Sequence, residues 1–432
     1  VGLGNIWRFP YLAAKYGGGI FLIIYIVLAL TFGYTMIVAE TAIGRMTRKS
    51  PVGAFKSFGK KKWLSFGGWI NAVIPVLIVP YYSVIGGWVI KYLVEYFRGN
   101  AKLLAEDGYF TDFISNGVST ELCFVAFCAF TLIIIFAGVQ NGIERVSKIM
   151  MPILIVLSVI IAVYSVTRPG ALAGVKYFLV PNVKNFSWMT VVSAMGQMFY
   201  SLSIAMGILI TFGSYMKKDT AIEDSTRNVE VFDTGIAIMA GLMIIPAVFA
   251  FSGGDPDTLQ AGPSLMFITI PKVFQNMGFG TVIGIVFFLL VLFAAVTSSI
   301  ALTESAVSTF EDELGWGRKK ATVLVGVIML VLGSLSSLGY GPLAGIKIIG
   351  MQFLDLFDFL TNSVMMPIAA LLTSLLVSRV VGIDKIEEEI IHGESAFRRK
   401  KVFVVMIKYL CPVFAIIILL SSVANALGWI KM

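Results

Sequence analysis

The chain has 432 residues, 58% apolar and only 13% charged, with a mean hydropathy of +0.89. A soluble globular protein is excluded, because several long helices would be apolar on every face. The net charge of +8 does not mark a nucleic-acid partner, since the charges sit in short clusters between apolar stretches, as membrane topology requires.

In chain order, eleven membrane segments are predicted. The first, up to about residue 16, opens on Val1-Gly2-Leu3-Gly4-Asn5-Ile6-Trp7-Arg8-Phe9-Pro10. Two glycines and an asparagine loosen a helix at a depth where lipid cannot satisfy the backbone. Such backbone survives only where it lines a protein-enclosed cavity, and interrupted helices of this kind hold ions and substrates in secondary transporters. Arg8 beside the break costs roughly 2.5–3.5 kcal/mol on insertion scales, so it needs a partner inside the protein. The absence of Met at position 1 leads us to expect a further segment upstream, and no secretory signal or lipidation motif is evident. The remaining segments are expected at 19–44, 70–97, 120–138, 147–167, 191–215, 229–251, 280–310, 321–338, 346–377 and 402–429. Cys123 and Cys128 stand five apart on one helix, and with Cys411 no disulfide is expected. The single histidine, His392, falls in a charged loop, so a His-based metal or catalytic cluster is excluded.

Loops after the even-numbered segments carry 21 of the 33 Lys and Arg residues, which makes them cytoplasmic, the C-terminus external and Arg8 outward of its break. A second break is legible in the sixth segment, where Gly196-Gln197-Met198-Phe199-Tyr200-Ser201-Leu202-Ser203-Ile204-Ala205-Met206-Gly207 interrupts the apolar run. Glycines that merely permit close helix packing explain one break, but two at corresponding positions much less readily. Breaks one and six divide ten segments into two sets of five. Because five is odd, the sets enter the membrane from opposite sides, the inverted-repeat arrangement of sodium-coupled transporters. The expected organisation is one transmembrane domain, 1–432, with repeats over 1–167 and 191–377 and an eleventh helix at 402–429.

The stretches VGLGNIWRFPY, GGGIFLIIY, GQMFYSLSIAMG, FAAVTSSIAL and LDLFDF closely resemble the neurotransmitter:sodium symporter family. The loop GVQNGIERVSKIMMP and the segment count look like its bacterial amino-acid branch. The resemblance implies an all-α polytopic membrane protein of the bacterial leucine transporter type. It further implies a symporter, not an enzyme, that imports hydrophobic or aromatic L-amino acids with Na+ by alternating access, in a bacterial cytoplasmic (inner) membrane. Lipid and the amino acid are then its partners.

Site residues follow from the same resemblance. Free N–H groups near Leu3 and Gly4 are expected to receive the substrate carboxylate, with Tyr82 donating its hydroxyl. Carbonyls around Tyr200, Ser201 and Ser203 are expected to take the ammonium. Ile78, Tyr82, Tyr200, Met206, Ser298 and Leu302 would form an uncharged side-chain pocket, and a flexible Met206 suits several substrate shapes. Monoamine carriers of the family hold an aspartate where this chain has Gly2, so the substrate should bring its own carboxylate. Na+ is a hard cation that wants oxygen ligands. The first site would use Asn5, Ser201 and Asp233; the second the carbonyls of Val1 and Ala294 with the hydroxyls of Thr297 and Ser298. Tyr25, Gln197 and Ser201 match part of the family's anion site, but Asp233 can supply that charge itself, which implies chloride independence and proton return through Asp233. Arg8 and Asp358 are expected to pair as an external gate, with Gln197 helping to hold Arg8. Glu40 is expected to brace the broken sixth helix. Gly142 and Pro152 weaken the start of the fifth segment, which either unwinds to release sodium or begins as an ordinary helix.

A channel would need a continuous pore, whereas paired gates describe a carrier. A membrane enzyme would need a nucleophile beside a base, but Glu40, Asp233 and Glu304 stand on different segments. Each charge moving with the field contributes roughly 2.3 kcal/mol per 100 mV, so two sodium ions can drive steep accumulation.

Overall fold

The apolar runs fold as helices because a backbone in hydrocarbon must satisfy its own hydrogen bonds. A computed structural model describes residues 2–253 and 265–426. Among the described residues, nine helices are long and apolar enough to cross a membrane: α2 (Gly19–Thr47), α3 (Lys62–Phe97), α4 (Gly117–Phe136), α5 (Val139–Val166), α7 (Ile222–Ser252), α8 (Gly280–Leu314), α9 (Arg318–Leu338), α10 (Phe353–Val381) and α11 (Lys400–Asn425). Two further segments are interrupted. The first leads into α1 (Phe9–Lys15), and the sixth is split into α6a (Trp188–Ser201) and α6b (Ile208–Tyr215). The breaks therefore fall in segments one and six, as the inverted-repeat reading requires.

Several helices outrun their apolar cores. α7 starts at Ile222, earlier than hydropathy places it, because its polar first turn finds partners in a neighbouring loop, and α3 too starts early, at Lys62. Glu223 shows this: its carboxylate accepts the N–H groups of Arg398 (2.7 Å) and Arg399 (3.1 Å) and bonds the Tyr34 hydroxyl. α10 starts later than expected, at Phe353, since Ile349 and Gly350 take φ of +54° and +76° just before it. α5 is continuous, with a wider turn over Val139–Glu144 and Pro152 inside it, so the fifth segment is not unwound here.

α3 and α8 make the most extensive helix contact, and α2 packs along α6b. Facing loops are tied by buried ion pairs. Fully buried Arg45 at the end of α2 meets Glu389 at 2.7 Å, and Lys218 shares that carboxylate at 2.6 Å. Arg399 meets Glu230 at 2.6 Å and lies 3.6 Å over the Tyr34 ring. Such pairs add little net stability but are costly to break singly. They hold the short helix Ile383–Ile391 and the start of α11 against α2 and α7.

Candidate substrate and ion site

The backbone leading into α1 is held by side chains from other helices. Gly2 and Leu3 precede a wide helical turn, Gly4–Arg8, before α1 begins. The Leu3 N–H donates to the Tyr82 hydroxyl on α3 (3.2 Å), and Gln197 Nε2 on α6a donates to the Gly4 carbonyl (3.0 Å). Asn5 folds back so that its Oδ1 accepts the Gly2 N–H (2.9 Å). Its Nδ2 donates to Ser201 Oγ (2.8 Å) and Asp233 Oδ1 (2.9 Å).

Residues 202–207 carry the chain between α6a and α6b without a helix. Ser203 and Ala205 take φ of +54° and +59°, a left-handed conformation that costs an L-residue about 1–2 kcal/mol. Gly207, at φ +70°, sits where a Cβ would lie 2.7 Å from Pro51 and 2.8 Å from the Asn71 carbonyl. Glu40 on α2, fully buried, accepts the Ala205 N–H at 2.8 Å and so braces the break.

Asp233 on α7 lies next to both breaks. It is 3% exposed, not at a wet membrane edge. Besides Asn5, its carboxylate accepts hydrogen bonds from Ser201 Oγ (2.8 Å) and the Tyr25 hydroxyl (3.1 Å). These donors are neutral, and no cationic side chain pairs with it among the described residues. Ser201 Oγ and the carboxylate bring oxygens and one negative charge together, as a hard monovalent cation requires, whereas Asn5 turns its Nδ2 toward them and its Oδ1 toward Gly2. Turning the Asn5 amide over would present its oxygen to an ion there in place of Nδ2.

A cavity of about 160 Å³ opens beside this cluster. Gly2, Leu3, Gly4, Asn5, Tyr82, Ser201, Ser203, Thr297 and Ser298 supply its polar lining, and Ile78, Met151, Met206, Ile208, Ala301 and Leu302 its apolar lining. Among the described residues, no charged side chain lines it. An apolar cavity of roughly 150 Å³ holds a benzene ring, so a substantial side chain fits. A larger cavity of about 450 Å³ is lined by Arg8, Tyr81, Asp355 and Asp358 among others. Tyr200 lines both cavities, so its ring is the partition, and the Arg8 guanidinium lies 5.3 Å from that ring's centre.

A family model described as the sodium:neurotransmitter symporter family matches residues 1–109 and 106–429. The chain belongs to that family. It is 34% identical to the sodium-dependent transporter YhdH of Bacillus subtilis, over 98% of this chain and 94% of that one. Identity to the human sodium- and chloride-dependent GABA transporter 2 is 26%, over 90% of this chain and 72% of the relative. The crystal structure of MhsT in complex with L-phenylalanine superposes with a TM-score of 0.87 at 34% identity, covering 98% of this chain and 96% of MhsT. This symporter is therefore a multi-pass membrane protein that transports its substrate with sodium.

Within the symporter, the residues expected at the substrate pocket all line one cavity: Ile78, Tyr82, Tyr200, Met206, Ser298 and Leu302, with Ser201 and Ser203. Asn5, Ser201 and Asp233 are joined by hydrogen bonds. Other expectations need correction. Arg8 and Asp358 line the outer cavity but form no ion pair: Asp358 instead accepts hydrogen bonds from Tyr81 (3.2 Å) and Asn362 (2.5 Å). Gln197 holds the Gly4 carbonyl rather than Arg8, because α6a packs against the opened backbone of segment one. The Leu3 N–H is already bonded to Tyr82, whose hydroxyl accepts there and keeps its own proton to donate. Thr297 Oγ1 donates to the Phe293 (3.0 Å) and Ala294 (3.2 Å) carbonyls of its own helix, as membrane Thr commonly does. Val1 lies outside the described residues. Sequence reasoning missed Met151 and Tyr81. Tyr81 stood beside Tyr82 in PYYSVIGGW, whereas Met151 carried no signal beyond its place before Pro152.

Proposed function

We propose that the symporter imports hydrophobic and aromatic L-amino acids by alternating access, with two sodium ions and no need for chloride. The observation that carries this reading is Asp233, a buried carboxylate held only by neutral donors beside an uncharged cavity. One sodium lies with Asn5, Ser201 and Asp233, and the second with Val1, Ala294, Thr297 and Ser298. The substrate carboxylate approaches Gly4 and the Tyr82 proton, its ammonium the carbonyls near Tyr200, Ser201 and Ser203, and its side chain Ile78, Met206 and Leu302. MhsT, similar in fold and sequence, was crystallised with L-phenylalanine, which supports an amino acid of this kind.

Asp233 serves as the fixed counter-charge of the first sodium, and takes up a proton for the return of the empty carrier. Arg8 and Asp358, apart across the outer cavity, approach when the substrate is enclosed, and Tyr200 closes beneath them. In this reading eleven membrane segments form two five-segment repeats plus a last helix, with the C-terminus outside a bacterial inner membrane. Binding of labelled leucine and tryptophan to the purified full-length protein tests the reading. Saturable, mutually competitive binding in sodium but not potassium, unchanged when gluconate replaces chloride, is expected. Sodium-independent binding would refute the coupling, and a strict chloride requirement the role of Asp233.

A further inference from the structure

The loop between α2 and α3 and the first turns of α3 carry a surface that the transport site does not use. Lys60, Lys61 and Lys62 are consecutive and exposed, and none makes an ion pair or side-chain hydrogen bond with a described residue. Lys56 in the same loop, by contrast, is paired with Glu313 at 2.6 Å. Three adjacent ammonium groups repel one another and attract an anion.

Beyond these lysines, α3 turns an apolar stripe outward. Lys62, Phe66 and Trp69 follow at spacings of four and three, which places them on one helix face. Phe66 and Trp69 are 55% and 40% exposed, and half-buried Val73 and Val76 continue the same stripe. α3 is the most deeply packed of the nine long helices, and Phe66 and Trp69 are its outward aromatics at this end. The Lys56 ammonium lies 5.7 Å from the Trp69 ring centre, which sets the indole at the level of the charges, where membrane tryptophans meet lipid headgroups.

We propose that this surface binds one anionic phospholipid, its headgroup phosphate on Lys60, Lys61 and Lys62 and an acyl chain along Phe66, Trp69 and Val73. The order of cation, aromatic ring and aliphatic side chain along the helix is the order of complementary groups along such a lipid. A soluble anion would satisfy the lysines and leave the stripe uncovered. The surface also touches the transport machinery. The Ser50 N–H donates to Asp312 (2.5 Å) and Lys56 pairs with Glu313, so the lysine loop is tied to the end of α8. α3 and α8 together supply Ile78, Tyr82, Ser298 and Leu302 to the cavity.

Tryptophan fluorescence of the full-length protein in vesicles tests this, with brominated phosphatidylglycerol in a phosphatidylcholine background compared with the reverse labelling. We expect preferential quenching that corresponds to about fivefold selectivity for the anionic lipid, in line with the attraction of basic clusters to anionic headgroups. The chain has seven tryptophans, so Trp69→Phe should remove the selective part and leave the rest. The triple variant Lys60→Gln, Lys61→Gln, Lys62→Gln should bring selectivity close to unity, with gel filtration and circular dichroism unchanged. Selectivity that survives the triple variant or Trp69→Phe overturns the proposal. Loss of selectivity on adding inorganic phosphate would assign the lysines to a free anion instead, and overturns it equally.

Discussion

If Asp233 is the counter-charge proposed above, replacing it with Ser should make transport chloride-dependent. Asp233 is the charged member of a cluster whose other members, Asn5, Ser201 and Tyr25, are neutral, and it is almost wholly buried. A sodium ion about 4 Å from the carboxylate gains roughly 4 kcal/mol at an effective dielectric constant of 20. At about 1.4 kcal/mol per decade, its removal weakens sodium binding roughly a thousandfold. Serine also frees volume among donors that already point inward, the Tyr25 hydroxyl and Ser201 Oγ, so an anion entering there can restore much of the lost energy. Sodium titrations of labelled-leucine uptake in proteoliposomes provide the assay, each run in chloride and in gluconate. Wild type should give superimposable curves. Asp233→Ser should be nearly inactive in gluconate and recover in about 100 mM chloride, a concentration at which the Debye length is still near 10 Å. A variant that is equally active in both media would refute the assignment of Asp233 as the counter-charge.

Glu40→Ala leaves the buried Ala205 N–H without its acceptor and should cost about 1–3 kcal/mol, seen as a lower thermal midpoint, while Glu40→Gln keeps an acceptor and should lose less. Gly207→Ala forces a Cβ into a left-handed residue against Pro51 and Asn71; we expect a loss of at least 1–2 kcal/mol and little folded protein by gel filtration. At Gly4 a methyl group would overlap the Tyr200 ring, so Gly4→Ala should displace the partition between the cavities and impair substrate binding far more than thermal stability. Arg318→Ala would strand the fully buried Glu304, which Arg318 meets at 2.5 Å and Tyr215 at 2.7 Å. A destabilisation of about 3–5 kcal/mol, read in a denaturant or thermal scan, is expected.

The sequence by itself determined the architecture, and its family resemblance named the residues proposed for the site. Long apolar runs can only be membrane helices, because lipid offers no hydrogen bonds to the backbone. The breaks at Gly2–Asn5 and over 196–207 stood out because glycine and polar residues interrupt apolar runs there. Their positions, first and sixth, were enough for an inverted repeat. Buried charge is costly enough in lipid that Arg8 and Glu40 stood out, whereas Asp233 was picked out by the family resemblance.

What the chain alone could not decide is which donor meets which acceptor. Gln197 can reach either Arg8 or the Gly4 carbonyl, and only the packing of α6a on segment one selects the carbonyl. Arg8 and Asp358 attract each other at any separation, yet a cavity of about 450 Å³ and the Tyr81 and Asn362 hydrogen bonds keep them unpaired. Met151 reaches the substrate cavity from α5 although its sequence neighbourhood is that of any lipid-facing helix. Hydropathy depends on composition and is local, so it is legible residue by residue. Partner choice depends on distances between helices far apart in sequence, and those are set only when all of them pack together.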